Sequence, residues 1–301
     1  MSEPRKQHYV PQVYLRSFAY GKDKNPKIYV LSKSKQKIYP ANVSDSAAER
    51  DFYTIDSIED KYIWERHYAT CIEPILGELI SKLRQRCETV LIQNHAVIMS
   101  QDEKFKLALS MVFQFLRGKQ TREYEQSLYD RLLPDVTDQT RTRFGPLSPE
   151  QEQLLQSFAD EKRYFKEIAM QAIFRKESIE KMVGLIMQRS FVVYKIIGEQ
   201  ELVTSDNPVV FIDLNTLDAT PFKNGMAKTT TLIYYPISPN LLLTAYHPDL
   251  YLGLLDNYDC QIEILDGATE HRFISTHNKK QKEQCNNYVY AHSKEVLDNL
   301  I

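Results

Sequence analysis

No stretch of this chain approaches the ~18 consecutive apolar residues of a membrane-spanning helix. Its first residues, MSEPRKQHYVPQ, lack the apolar core of a secretion signal. A cytoplasmic protein without membrane contact is expected. Glycine is scarce, 9 of 301 residues, and forms neither a dinucleotide-binding fingerprint nor a phosphate loop ending in Lys-Ser or Lys-Thr. A nucleophile-elbow serine and a His-Glu-x-x-His helix are missing too. These absences argue against an ATPase, a dehydrogenase, an α/β-hydrolase esterase and a zincin. The four cysteines, Cys71, Cys87, Cys260 and Cys285, have no paired-ligand spacing. A zinc knuckle or disulfide scaffold is thereby disfavoured, and free thiols are expected. With 38 basic and 40 acidic side chains and a net charge of -2, no global field draws the chain to nucleic acid or lipid, so any polyanion site must be local.

What is present is an ordinary globular composition, 43% hydrophobic and 26% charged. The length suits one elaborated domain or two tightly packed halves. Residues 1–58 read as a leader and β-hairpin, because KIYVLSK and KQKIYP are β-rich runs around a polar turn. Residues 59–190 read as a helical centre. Ile63, Tyr68, Ile72, Leu76, Leu79 and Leu83 recur at helical intervals, with Pro74 set to kink or divide that helix. A helix from Gln101 to about Leu133 is expected, with Ser100 and Glu103 as a capping box and Phe105, Leu109, Val112, Phe113 and Leu116 as its buried stripe. LLPDVTDQTRTRFGPLSPE reads as a polar connection, after which Ser148, Pro149 and Gln151 start another helix that continues the bundle through Met187. Residues 191–301 read as antiparallel strands, with a hairpin about Gly198-Glu-Gln, closed by a helix from Lys279 to Leu300. The expected fold class is α+β, a central helical bundle with a small N-terminal β-hairpin and a C-terminal antiparallel sheet. With strands grouped at the two ends, a βαβ parallel sheet is not expected.

Five stretches in order, QHYVPQVYLRSF, QFLRGKQTR, LVTSDNPVV, YYPISPNLLL and CNNYVYAHSKEV, resemble domain-of-unknown-function family 4238 over nearly the whole chain. The opening and Ser-Asp-Asn-Pro motifs carry the resemblance, since amphipathic patterning does not produce them. Members often begin with two adjacent histidines where this chain has Gln7 and His8, which weakens a two-histidine metal site. The resemblance implies a bacterial family without an assigned activity, some of whose members lie near defence genes.

His8 suits acid/base work or metal ligation. The plainer reading is a single hydrogen bond pinning the leader while Val10, Tyr14, Leu15 and Phe18 dock on the core. Ser205, Asp206 and Asn207 offer a hydroxyl, a carboxylate and an amide at a strand end, able to hold a metal or a water, or equally to cap a turn. Gln114, Arg117 and Thr121 share a helical stripe, with Arg122 adjoining. Arg117 can grip phosphate, or pair across the bundle with Glu65 or Glu73. The cluster NKKQK at residues 278–282 reads as a solvated helix segment. Tyr234, Tyr235, Tyr288 and Tyr290 read as base-stacking platforms or as core edges.

Two functions follow. The first is a nuclease or nucleotide-processing enzyme, with bacterial anti-phage defence as its setting. There His8, Asp206 and Asn207 are catalytic, Gln114, Arg117, Arg122 and Ser205 bind substrate, and a divalent metal such as magnesium is a candidate cofactor. Its partner is nucleic acid or a nucleotide. The second is a non-catalytic binding or regulatory module that recognises a small ligand or a protein partner from a defence system, with the same polar groups locking the fold.

Overall fold

The computed structural model describes residues 5–21, 24–55, 58–90, 95–160, 175–220 and 222–301. Strand β1 (Lys6–His8) leads into helix α1 (Gln12–Leu15), a 3-10 turn at Arg16–Phe18 and the hairpin β2 (Lys27–Ser32) and β3 (Lys37–Asn42), as the two β-rich runs predict. Strand β4 (Ala48–Arg50) returns to pair with β1. Helix α2 (Ile63–His67), a π-helical turn at Tyr68–Ile72 and helix α3 (Glu73–Thr89) follow one another. The division falls beside Pro74, which sits in the first turn of α3, where its missing N–H costs no helical hydrogen bond.

After β5 (Ala96–Val97), helix α4 (Gln101–Arg117) starts on the expected capping box. Ser100 Oγ accepts the Glu103 N–H at 3.2 Å, and Glu103 accepts the Ser100 N–H at 2.9 Å. The helix expected to run on to Leu133 breaks instead at Gly118, and Phe105, assigned to its buried stripe, is 47% exposed. Helix α5 (Lys119–Phe144) then carries through Pro134 and the stretch read as a connection, ending at Gly145 with φ 84°. That sequence lacks the apolar stripe by which helices are read, yet Gln, Arg, Asp and Thr tolerate an exposed helix. Helix α6 (Pro149–Asp160) begins on the Ser148–Gln151 box. The expected continuation over residues 161–174 lies outside the described residues. Helix α7 is Lys176–Met187.

The second half contains β6 (Ser190–Ile196), β7 (Thr204–Ser205), β8 (Val210–Asp213), β9 (Thr231–Ser238), β10 (Leu241–Tyr246), β11 (Gln261–Leu265), helix α8 (Gly267–Gln284), β12 (Tyr288–Ala291) and helix α9 (Lys294–Asp298). The helix expected from Lys279 to Leu300 is therefore interrupted by a strand. Tyr-Val-Tyr-Ala joins aromatic and β-branched residues that favour a pleated surface.

The expected architecture is corrected on four counts. The N-terminal hairpin is not a separate small unit, because β12 pairs with β2 and β7 to give a four-stranded sheet ordered β3-β2-β12-β7. The other large sheet, β5-β11-β6-β10-β9-β8, is mixed: β11 runs parallel to β6, and β5 comes from the middle of the chain. Among the described residues there is no single central bundle: α4 packs on α3 and α7, whereas α8 packs on β7, β8 and β12 and α9 on β2, β3 and β12. The hairpin expected about Gly198 does not form either. β6 pairs with β10 and β11 while β7 pairs with β12, so the chain changes sheets there. Gly198 allows that passage. Its N–H donates to Glu270 at 3.1 Å, and a Cβ would collide with that carboxylate. One buried cluster runs through leader, hairpin, helices and large sheet, including Tyr14, Phe18, Val30, Leu76, Met111, Val193 and Leu243.

Candidate functional site

The leader is held through its backbone as much as its side chains. Gln7, fully buried in β1, accepts the Tyr53 N–H and donates to Thr54 Oγ1 at 3.1 Å. The imidazole of His8 turns the other way, its Nε2 3.2 Å from the Ser44 carbonyl. Burial holds its pKa below the ordinary value. Past Pro11, Val10, Tyr14, Leu15 and Phe18 are all buried. The Tyr14 hydroxyl lies 2.7 Å from both Thr204 Oγ1 and the Pro236 carbonyl, and Ser17 Oγ donates to the Ile237 carbonyl at 2.7 Å. The leader thus joins both sheets.

Arg117 forms the first polar hub. Fully buried at the end of α4, it donates to Glu73 Oε1 at 3.1 Å from two nitrogens, to the Tyr53 hydroxyl at 3.1 Å and to the His8 carbonyl. Its guanidinium stacks 4.1 Å from the Tyr68 ring centroid. Gln114, one turn earlier, donates to the Tyr9 carbonyl at 3.0 Å. Arg122 lies 3.6 Å over the Phe52 ring and donates to the Phe52 carbonyl. These groups clamp the leader and the segment 52–53 onto α4 and α5. Beside them Glu65 has a buried, unpartnered Oε2, and burial, opposed by Arg117 and aided by Glu73, raises its pKa to about 7.

Asp206 forms the second hub. Its carboxylate, 1% exposed, accepts the backbone N–H groups of Asn286, Asn287 and Tyr288 at 2.7 to 2.8 Å. Burial pushes its pKa up to about 6, against the pull of those three donors and Lys119. Ser205 Oγ donates to Gln281 at 2.7 Å and accepts the Asn207 N–H at 3.1 Å. The Asn207 amide donates to Gln120 and to the Gln284 carbonyl. Gln281 and Gln284 also bond the backbone of Pro208, Phe211 and Ala219. The NKKQK stretch, read as solvated, thus includes buried Asn278 and Gln281, which lock the 201–208 segment. No hydrogen bond or ion pair among the described residues joins His8 to Asp206.

The motifs do converge on a third place. A cleft of about 310 Å³ is bounded by Tyr9, Tyr39, Tyr288 and Tyr290, with Lys119, Glu49 and Asp45 among its polar lining groups. Tyr9 and Tyr290 are buried, while Tyr39 and Tyr288 are half-buried. Burial and the neighbouring charge of Asp206 raise the pKa values of both Tyr9 and Tyr290. Lys119, the first residue of α5, lies 4.9 Å from the Tyr9 ring centroid and pairs with Glu49. The leader, the break at Gly118, the Ser-Asp-Asn-Pro turn and the C-terminal strand therefore meet around this cleft. Of the stacking tyrosines expected, Tyr234 and Tyr235 are core residues and only Tyr288 and Tyr290 belong here.

The sequence model described as "Protein of unknown function (DUF4238)" matches residues 6–295. The chain belongs to that family. No curated protein and no solved structure matches. Several hydrophilic side chains of the DUF4238 motifs are thus placed: Gln114, Arg117, Arg122, Ser205, Asp206 and Asn207 in the two hubs, and Lys119 at the tyrosine cleft. Sequence reasoning missed Lys119, Glu49 and Tyr39, whose only signal was Lys119 lying inside QFLRGKQTR. It also missed Gln7, which looked like the loss of a ligand and acts as a two-armed clamp.

A larger cavity, about 420 Å³, opens between α8 and α9. Its Glu201 is taken by the Ser293 hydroxyl at 2.6 Å, and its Asn278 by the Val203 N–H and the Glu201 carbonyl. Among the described residues no group of three or more His, Cys, Asp or Glu side chains is placed to hold a metal ion. None of their helices is long and apolar enough to cross a membrane. Cys71 is exposed, the other three thiols are buried, and all four are free.

Proposed function

We propose that this DUF4238 chain is a ligand-binding module, with the tyrosine cleft as its site. The observation that carries the reading is the saturation of Asp206: both carboxylate oxygens are engaged by three backbone N–H groups, those of Asn286, Asn287 and Tyr288, at the start of the strand that forms one wall of the cleft. A carboxylate so employed holds the Asn286–Tyr288 backbone in place and has little capacity left to orient a water. Arg117 is likewise consumed by Glu73, Tyr53 and the His8 carbonyl, which removes the phosphate grip that the nuclease reading requires. The cleft falls within the size range of small-molecule sites and combines apolar rings with a few polar groups.

The test is a thermal-shift screen of the full chain against a broad panel of nucleotides, nucleosides, amines, sugars and carboxylates, run beside RNA and DNA cleavage assays with magnesium or EDTA. A saturable shift reduced by Tyr39→Ala, without cleavage, is expected. Cleavage abolished by His8→Ala at unchanged melting temperature would restore the phosphodiesterase reading. A screen without any shift would remove the binding one.

A further inference from the structure

We infer that the cleft takes a planar aromatic anion, a nucleoside phosphate, its ring against Tyr39 and Tyr288 and its phosphate toward Lys119 and the basic groove alongside. This deepens the binding reading above and rests on it. The walls supply the first argument. Tyr39 and Tyr288 keep ring surface open to the cleft, whereas Tyr9 and Tyr290 form a buried floor. Aromatic walls favour a planar ring of any base, since every base has a π face.

Charge supplies the second argument. A shallower depression of about 460 Å³, lined by Arg5, Lys6 and Arg50, shares Ala48 and Glu49 with the cleft. The antiparallel register sets Lys6 directly opposite Arg50, so the two cations stand side by side. With Lys119 there are four cations against the carboxylates of Asp45, Glu49 and Asp51. Lys6 is paired with Asp45, Lys119 with Glu49 and Arg50 with Asp51. Lys6 and Arg50 are more than half exposed in those pairs. Exposed pairs of this kind are weak, so a phosphate can take over Lys6 and Arg50 without a large rearrangement, while Lys119, 20% exposed, is shared with Glu49 at the cleft wall. Lys119 also begins a 26-residue helix with no side-chain cap at that end, and the helix dipole adds to the attraction for an anion. A cationic ligand would meet Lys119 unfavourably, and a neutral ring would leave the basic groove unused.

The experiment is calorimetric titration of the full chain with AMP, ATP, adenosine, pyrophosphate and choline, on wild type, Tyr39→Ala, Lys119→Ala and Arg50→Ala. Circular dichroism and melts of each free variant identify any that fails to fold, and Tyr39→Leu and Lys119→Gln stand in for such a variant. AMP or ATP should bind saturably, more weakly at high salt. Tyr39→Ala and Lys119→Ala should each cost about tenfold or more, equivalent to 1.4 kcal/mol. Adenosine binding as tightly as AMP, or choline binding that strengthens in Lys119→Ala, would overturn the anionic class and leave the binding reading standing. A panel without binding here, beside a positive in the broad screen, would do the same. Silence in both would sink the two together.

Discussion

At the residue scale, hydrophilic side chains that look catalytic in the sequence are mostly engaged inside the fold. His8→Ala removes one hydrogen bond to the Ser44 carbonyl but leaves the His8 carbonyl available to Arg117 and Tyr53. A loss of about 1 kcal/mol is expected, with the ligand-induced thermal shift retained. Denaturant melts and the ligand screen on the same variant check both. Arg117→Ala is different in kind, because it leaves Glu73 Oε1 without both guanidinium donors and takes one donor each from the Tyr53 hydroxyl and the His8 carbonyl. A cost of about 3–5 kcal/mol is expected from breaking such a buried pair, read as a collapse of the urea midpoint.

Glu65 gives the pH prediction. Its folded pKa, about 7, lies above the ordinary 4.5, so ionising it is harder in the folded chain than in the unfolded one. Its contribution to stability therefore falls as pH rises from about 4.5 to about 7 and is level beyond. Glu65→Gln never ionises, so its melting temperature should gain on the wild type across that window. The gain should reach about 1 kcal/mol after allowance for solvent screening, roughly 1–2 °C in a chain of this size. Paired melts from pH 4 to pH 8 measure it, and a difference independent of pH would contradict the assignment.

At the scale of elements, legibility followed local chemistry. The Ser100 and Ser148 capping boxes, the β2–β3 hairpin and the division beside Pro74 were all readable, because each is written in a few adjacent residues. The extension of α5 through Pro134 was not, because an exposed helix needs no apolar stripe. Neither was the conversion of Tyr288–Ala291 to strand, which depends on β2 and β7 being there to pair with it. Gly77 shows how closely elements are fitted. A Cβ there would lie 2.5 Å from Val13 Cγ2, so α3 meets the leader helix at a glycine. Gly77→Val should push α1 off its seat at a cost of about 1–3 kcal/mol, seen as a lowered melting temperature and faster proteolysis of the leader.

At the scale of the whole molecule, the misread feature was pairing between distant strands. Periodicity tells strand from helix but carries no information on partners. The registers Val30 with Tyr290 and Leu31 with Val289 join the two ends of the chain, and Gln261 with Val192 gives the unanticipated parallel pair. The candidate site followed the same rule: the motif positions were visible, but Lys119 at the start of α5, Glu49 in β4 and Tyr39 in β3 become neighbours only in the assembled fold. The amides of Val30 and Val289 are therefore expected to exchange hydrogen with the same opening free energy, as members of one cooperative sheet. Hydrogen-exchange mass spectrometry that finds the N-terminal hairpin opening alone would contradict that unity.

The central claim is that Asp206 builds the cleft rather than performing chemistry in it, and Asp206→Asn tests it most directly. An amide has one acceptor oxygen for three N–H groups and turns its own NH₂ toward at least one of them. A side-by-side thermal melt and ligand titration of wild type and variant should show a destabilisation of about 2 kcal/mol or more, with the ligand-induced shift weakened in step. A variant that melts with the wild type, binds as well and has lost a hydrolytic activity would contradict the account.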